Sequence, residues 1–198
     1  MIEIIKLAND APYKVLTKFY SLAKKNCQKN IDAICISSLN LEKKEVDSRL
    51  VNLKRIHKDE WIFFTNYSSK KAQDFQNHNQ ISALLFWSSI NVQIRMKAKI
   101  RKTSRRYNEQ YFDSRSQEKN ALAISSNQSK NIGSYHMVLD KYHKALDHND
   151  LSICPNYWGG YSFTPYYFEF WQGHDLRINK REVFDKTDGV WKHSFLQP

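Results

Sequence analysis

The chain has 198 residues, 41% hydrophobic and 26% charged, enough for one globular domain with a proper core or at most two small ones. Its formal net charge of +11 attracts anions, whether nucleic acid, an anionic membrane surface or phosphorylated small molecules, without choosing among them. Composition excludes more sharply: five glycines cannot build a Rossmann fingerprint or a P-loop, Cys27, Cys35 and Cys154 form no zinc motif and point to reduced thiols in the cytoplasm, and neither a signal peptide nor an apolar run of about 18 residues is present.

Residues 12–29 place Val15, Phe19, Leu22 and Ala23 at helical spacing among lysines, and Pro12 suits a first helical turn. Residues 1–30 are therefore expected to be an N-terminal helical segment. The period then shortens: strands are predicted at 31–39, 47–56 and 61–66, followed by a short helix over 68–78 that opens on Ser68 and Ser69, good N-cap residues. Strands follow at 81–87 and 90–100. In the second, Val92, Ile94, Met96, Ala98 and Ile100 alternate with Gln93, Arg95, Lys97 and Lys99, which is a half-buried strand with a basic outer face. Ser104 caps a helix through about 115, a further helix covers NALAISSN, and 133–147 is helical. PYYFEFWQG, REVFDK and VWKHSFL close the chain as strands. Short connections disfavour parallel crossovers, so the expected fold is α+β, mainly β: one domain over 1–198, an antiparallel sheet or barrel with helices outside.

Five stretches carry chemistry, each with an ordinary structural explanation when taken alone. Arg49 and Lys54 flank a strand an odd number of positions apart, so they share a ligand only if the strand twists or the ligand wraps its end. FFTNYSSKK ends a strand and opens a helix with hydroxyls, backbone N–H groups and Lys70 and Lys71, a phosphate-type cradle. Tyr111 and Arg115 lie one helical turn apart on one face. NQS at 127–129 is a polar loop. EFWQGHDLRINKR at 169–181 gathers Trp171, Arg177 and Arg181 at a strand end.

In this order, R-x-V-x-L-K, F-x-T-N-x-x-S-x-K, Y-F-x-S-R and the ending EFWQG…Arg177…Arg181…Trp191…Leu196…Pro198 resemble the pyridoxine/pyridoxamine 5′-phosphate oxidase family, from about Asp32 to Pro198. The resemblance implies a split β-barrel of about six to eight strands with peripheral helices, working as a homodimer with FMN at the interface and calling for no metal, nucleic acid or membrane. It assigns the FMN phosphate to Arg49, Lys70 and Lys71, with Phe64 and Thr65 alongside and the run Leu50, Val51, Asn52, Leu53 and Lys54 following the cofactor. Gln93, Gln128, Ser129, Trp171 and Arg181 fall at the remaining flavin positions, Gln128 and Ser129 reaching across from the other subunit. Lys54, Tyr111, Arg115 and Lys119 match the substrate-phosphate contacts. Arg177 matches the catalytic residue over the substrate ring, and Asn179 stands two positions on. The implied reaction is hydride transfer from substrate C4′ to flavin, with O2 reduced to hydrogen peroxide. Lys70, Lys119 and Asn179 stand where the family usually carries Arg, Ser and His, and Asn52 replaces an apolar residue. A flavin oxidase of the phenazine-biosynthesis kind, or a non-catalytic FMN-binding or nucleic-acid-binding protein, are the alternatives.

Overall fold

The computed structural model describes residues 1–198. In chain order it runs β1 (Glu3–Ile5), α1 (Ala11–Lys25), β2 (Ala33–Asn40), β3 (Glu45–Asn52), β4 (Arg55–His57), β5 (Glu60–Asn66), α2 (Lys70–Asn77), β6 (Gln80–Trp87), β7 (Val92–Lys102), α3 (Arg105–Asp113), α4 (Gln117–Ser125), α5 (Tyr135–His148), β8 (Trp158–Gln172), β9 (Lys180–Thr187) and β10 (Val190–Leu196). All ten strands join one sheet, in the order β1-β4-β5-β8-β7-β6-β2-β3, with β9 and β10 added through β8. Every pairing is antiparallel except β1 with β4.

The split lies in β8. Along one edge β8 pairs with β7 over most of its length. Along the other, Trp158–Phe163 pair with β5 and Tyr167–Gln172 with β9. Pro165 sits between the two halves, beside the register shift at Lys97/Ala98. A residue without an N–H is tolerated at such an irregularity. The expected strand beginning at 165 is thus the second half of a longer one.

The core fills the curl of the sheet, and α1 plugs it. Tyr13, Leu16, Phe19, Tyr20 and Ala23 are the buried face of α1, with rings against Phe168, Trp87 and Phe170 at centroid distances of 5.4–5.9 Å. This corrects the expected stripe, because Leu22 points to solvent and Val15 is only partly buried. The predicted strand 47–56 is broken in two. Leu53 turns fully inward, its N–H donating to the Asp32 carbonyl, while the Lys54 N–H donates to Ile62 O across β5. The three-residue strand β1 was not foreseen. Ser69 also departs from expectation: its hydroxyl donates back to Asn66 O and caps nothing, whereas Ser104 accepts from the Tyr107 N–H as predicted.

A smaller apolar cluster, Phe112, Cys154 and Trp158, joins α3 to the start of β8. Asn108 fixes that join, accepting from the Gly160 N–H at 2.9 Å and donating to the Tyr67 hydroxyl at 2.9 Å. A Cβ at Gly159 would lie 2.2 Å from the Tyr67 hydroxyl and 2.4 Å from the Asn108 amide nitrogen, so any larger residue there displaces this hydrogen-bonded pair. No helix of the protein is long and apolar enough to cross a membrane.

Candidate functional site

Beside this junction opens a cavity of about 550 Å³, lined by Leu50, Val51 and Asn52 of β3, by Lys54, by Phe64 and Thr65 of β5, and by Lys71 of α2. Tyr111, Ser114, Arg115, Ser116 and Lys119 close it from the α3–α4 side, with Gln128 and Trp158 completing the wall. Its floor is aromatic. Phe64 stacks on Tyr111 with centroids 3.7 Å apart and planes 5° from parallel, and on Trp158 at 5.2 Å and 9°.

Arg115 lies over Trp158, its guanidinium 4.5 Å from the ring centroid. One of its terminal nitrogens donates to Lys119 O at 2.8 Å. The other is buried without a partner. Burial lowers the pKa of this guanidinium from its usual value, though an arginine stays charged regardless. A buried, unpartnered cationic donor on a cavity wall with Lys54 and Lys119 nearby is an arrangement that an anion completes.

At the β5–α2 end a second cradle stands out. Thr65 Oγ1 (2.8 Å), the Asn66 N–H (3.2 Å) and Lys71 Nζ (3.3 Å) all donate to one atom, Gln128 Oε1. Lys71 has no carboxylate partner, and burial, followed by the neighbouring Arg49 charge, brings its pKa down to about 8. Three donors focused on one uncharged oxygen are the donor set of an oxyanion site. The residues present therefore fit a phosphate group such as that of FMN. The family resemblance assigned Gln128 to a partner subunit, but its side chain lies in the cavity of its own chain.

Several expected residues lie outside this cavity. Arg49 does not line it: one terminal nitrogen donates to Ile36 O and to Ser38 Oγ (2.7 Å), and the other lies 2.8 Å from an Asp47 carboxylate oxygen. It remains close enough to Lys71 for its charge to be felt there. Lys70 and Ser129 are exposed, and Leu53 is core.

Gln93, Trp171 and Arg181 form a separate row, directly cross-strand on β7, β8 and β9. Arg181 is held by the buried carboxylate of Glu169, which accepts from its Nε at 2.8 Å and from Arg95 at 3.0 Å. Burial would raise the Glu169 pKa, but these two arginines outweigh it and the net shift is downward. Arg177 and Asn179 lie on the loop after Trp171. Arg177 takes a left-handed φ of 62°, and Asn179 Oδ1 accepts from the His174 N–H at 3.0 Å. Trp171 is thirteen residues beyond Trp158 on the same strand, a contour of roughly 40 Å at the strand rise. None of Gln93, Trp171 and Arg181 lines the cavity described above.

Trp158 and Glu169 were missed in the sequence. Trp158 had one signal, the WGG triplet, whose glycines admit α3 against the strand. Glu169 sits in an apolar run with nothing to mark its burial.

Residues 25–149 match the family model described as pyridoxamine 5′-phosphate oxidase. Residues 158–198 match the pyridoxine 5′-phosphate oxidase C-terminal dimerisation region. The pyridoxine/pyridoxamine 5′-phosphate oxidase 1 of Hydrogenovibrio crunogenus is 32% identical over 191 residues, covering 94% of this chain and 88% of that protein. Among solved structures, PhzG from Burkholderia lata 383, in complex with tetrahydrophenazine-1-carboxylic acid, superimposes with a TM-score of 0.88 at 21% identity, covering 94% of this chain and 92% of that one. A pyridoxamine 5′-phosphate oxidase-related, FMN binding protein from Nostoc punctiforme gives 0.76 at 11%, covering 96% and 99%. At these identities the two structures speak for the split-barrel fold alone.

Proposed function

The chain belongs to the pyridoxamine 5′-phosphate oxidase family, and from that membership we propose an FMN-dependent oxidase that converts pyridoxamine or pyridoxine 5′-phosphate to pyridoxal 5′-phosphate, acting as a homodimer. The observation that carries the reading is the pairing, in one cavity, of two separate anion-seeking sites across an aromatic floor: the cradle at Thr65, Asn66 and Lys71, and the unpartnered Arg115 nitrogen flanked by Lys54 and Lys119. A phosphorylated cofactor and a phosphorylated substrate lying side by side need two such sites.

In this reading the cradle holds the FMN phosphate in place of Gln128 Oε1, and Arg49 and Lys70 add positive field from behind. Leu50, Val51 and Asn52 line the cofactor's flank. Arg115, Lys54 and Lys119 hold the substrate phosphate, and the Tyr111 hydroxyl, its pKa raised chiefly by burial, stays protonated and able to donate. The floor of Phe64, Tyr111 and Trp158 excludes water and keeps flat ring systems parallel. Bound there, FMN would supply the two-electron oxidation of the substrate at C4′, with O2 as the final acceptor and hydrogen peroxide as its product. The row of Gln93, Trp171 and Arg181, together with Arg177, belongs to the same site only if a second copy brings it there. The match to a dimerisation region supports that arrangement.

A second reading, a flavin oxidase with another substrate, is favoured by Asn179, whose side-chain oxygen is committed to its own loop and whose amide, unlike an imidazole, takes up no proton and no positive charge. One anaerobic experiment separates the two. The protein is loaded with FMN, pyridoxine or pyridoxamine 5′-phosphate is added, and the oxidised-flavin absorbance is followed. Bleaching, with pyridoxal 5′-phosphate formed and peroxide released on readmitting air, supports the oxidase. Bound flavin that stays oxidised with both compounds supports the changed substrate, and failure to bind FMN refutes both.

A further inference from the structure

Arg49 is anchored at one of its terminal nitrogens and loosely held at the other. The first donates to Ile36 O at 3.3 Å and to Ser38 Oγ at 2.7 Å. Ser38 is itself fixed: its hydroxyl donates at 2.8 Å to Asp74, a carboxylate only 4% exposed that also accepts from Asn40 at 3.0 Å. With its one proton given to Asp74, the Ser38 hydroxyl can only accept from Arg49. The guanidinium is pinned at that end.

The second terminal nitrogen is buried and makes no hydrogen bond, although an Asp47 carboxylate oxygen lies 2.8 Å away. The two charges attract, but the N–H groups are not aligned on that oxygen. Asp47 keeps 59% of its side-chain surface in solvent, against 19% for Arg49, and an ion pair open to water on one side contributes little to stability. Both residues lie on β3, an edge strand, two positions apart and so on one face. The Asp47 carboxyl is held below its usual pKa chiefly by Arg49, with the Lys70 charge adding to it. A single carboxylate thus stands beside Arg49 and Lys70, two of the three cations that the family resemblance assigns to the FMN phosphate.

We propose that Asp47 is an internal competitor for that phosphate: it occupies Arg49, the phosphate takes over the second nitrogen when the cofactor enters, and Asp47 thereby sets how tightly this chain holds FMN. The inference rests on the FMN reading given above. A phosphate group brings more charge and three acceptor oxygens, so it aligns on the guanidinium where one carboxylate oxygen does not. Because Ser38 keeps the first nitrogen, only the second changes partner. Asp47 then remains as a like charge near the phosphate, which lowers the affinity further.

The test is fluorescence titration of the full-length parent and of Asp47→Asn with FMN and with riboflavin, which has the same ring system and no phosphate. Asparagine keeps the size of this solvated side chain and removes its charge. FMN should bind the variant about three- to tenfold more tightly than the parent, and riboflavin should bind both equally. Weaker FMN binding in Asp47→Asn would make Asp47 a support of Arg49 and overturn the proposal. Unchanged FMN affinity, or equal tightening of riboflavin, would overturn it as well. A parent that binds FMN and a variant that binds it no better sinks this inference alone, whereas failure of FMN to bind either chain refutes the FMN reading and this inference with it.

Discussion

Glu169→Gln tests the claim that one buried carboxylate organises the β8–β9 end of the molecule. Glu169 is 2% exposed and accepts from Arg181 Nε (2.8 Å), Arg95 (3.0 Å) and the Tyr167 hydroxyl (3.1 Å). Glutamine keeps the volume and one acceptor oxygen, but it removes the charge and turns an NH2 group towards one of the guanidinium groups. One charge-assisted hydrogen bond is lost and the others become ordinary ones, a loss of roughly 2.5–4 kcal/mol. Because Arg95 and Arg181 keep 54% and 26% of their side-chain surface in solvent, they rehydrate when released, and the figure falls to about 2–3 kcal/mol. For a chain of this size that is a drop in melting temperature of about 4–12 °C. The assay is urea unfolding at pH 7, where the midpoint should fall at an unchanged slope. The pH dependence has a definite sign. Glu169 has a depressed pKa in the folded protein, so its contribution is fully present above the ordinary glutamate value of 4.5 and is lost as pH falls through the folded value. The gap between the parent and Glu169→Gln should therefore close below about pH 4.5. A variant within about 0.5 kcal/mol of the parent at pH 7 would refute the reasoning.

Affinity for FMN should fall as pH rises through about 8, where Lys71 loses its charge, with proton uptake on binding just above that pH. Lys71→Met should weaken binding about 10- to 100-fold and abolish the slope, and flavin-fluorescence titrations that retain the slope in Lys71→Met would exclude Lys71 as its source. Arg115→Ala should raise KM for phosphorylated substrates about tenfold or more at unchanged flavin content. Loss of flavin instead would move Arg115 to the cofactor. Lys71→Ala and Arg181→Ala chains, each weak in FMN binding alone, should recover about a quarter of the parent's activity when coexpressed. Half the random dimers are mixed, and each mixed dimer has one intact site of two. No recovery would mean that the site is not shared between chains.

Alternation on β7 made that strand legible residue by residue, and Ser104 announced α3. The clustering of Lys54, Thr65, Lys71, Tyr111 and Arg115 about one cavity followed from motif order, although these residues span five elements or their flanks. Elsewhere local rules gave way to tertiary contacts. Pro165 looks like a strand start, but it falls at an irregularity where the missing N–H costs nothing. Leu22 has the right spacing to be buried, yet the curl of the sheet accepts the face carrying Leu16 and Tyr20. Ser69 is a good capping residue whose hydroxyl found a carbonyl instead. The three-residue β1 has no pattern of its own and exists only because β4 offers an edge.

The central strand of the sheet is among the last to be made. Ile62 pairs with Ser162 and Ile94 with Phe170, so β5 and β7 leave the ribosome long before β8 is there to cover them. Pairings this distant in sequence make folding slow, and in the interval two apolar strand edges stand open to neighbouring chains. On β7 every second side chain from Arg95 to Arg101 is cationic, while Val92, Ile94, Met96, Ala98 and Ile100 are buried. Like charges set against like in any edge-to-edge pairing of two nascent copies repel, and they act as gatekeepers. Part of the +11 charge thus stands where it disfavours edge-to-edge pairing of the unfinished sheet with copies of itself.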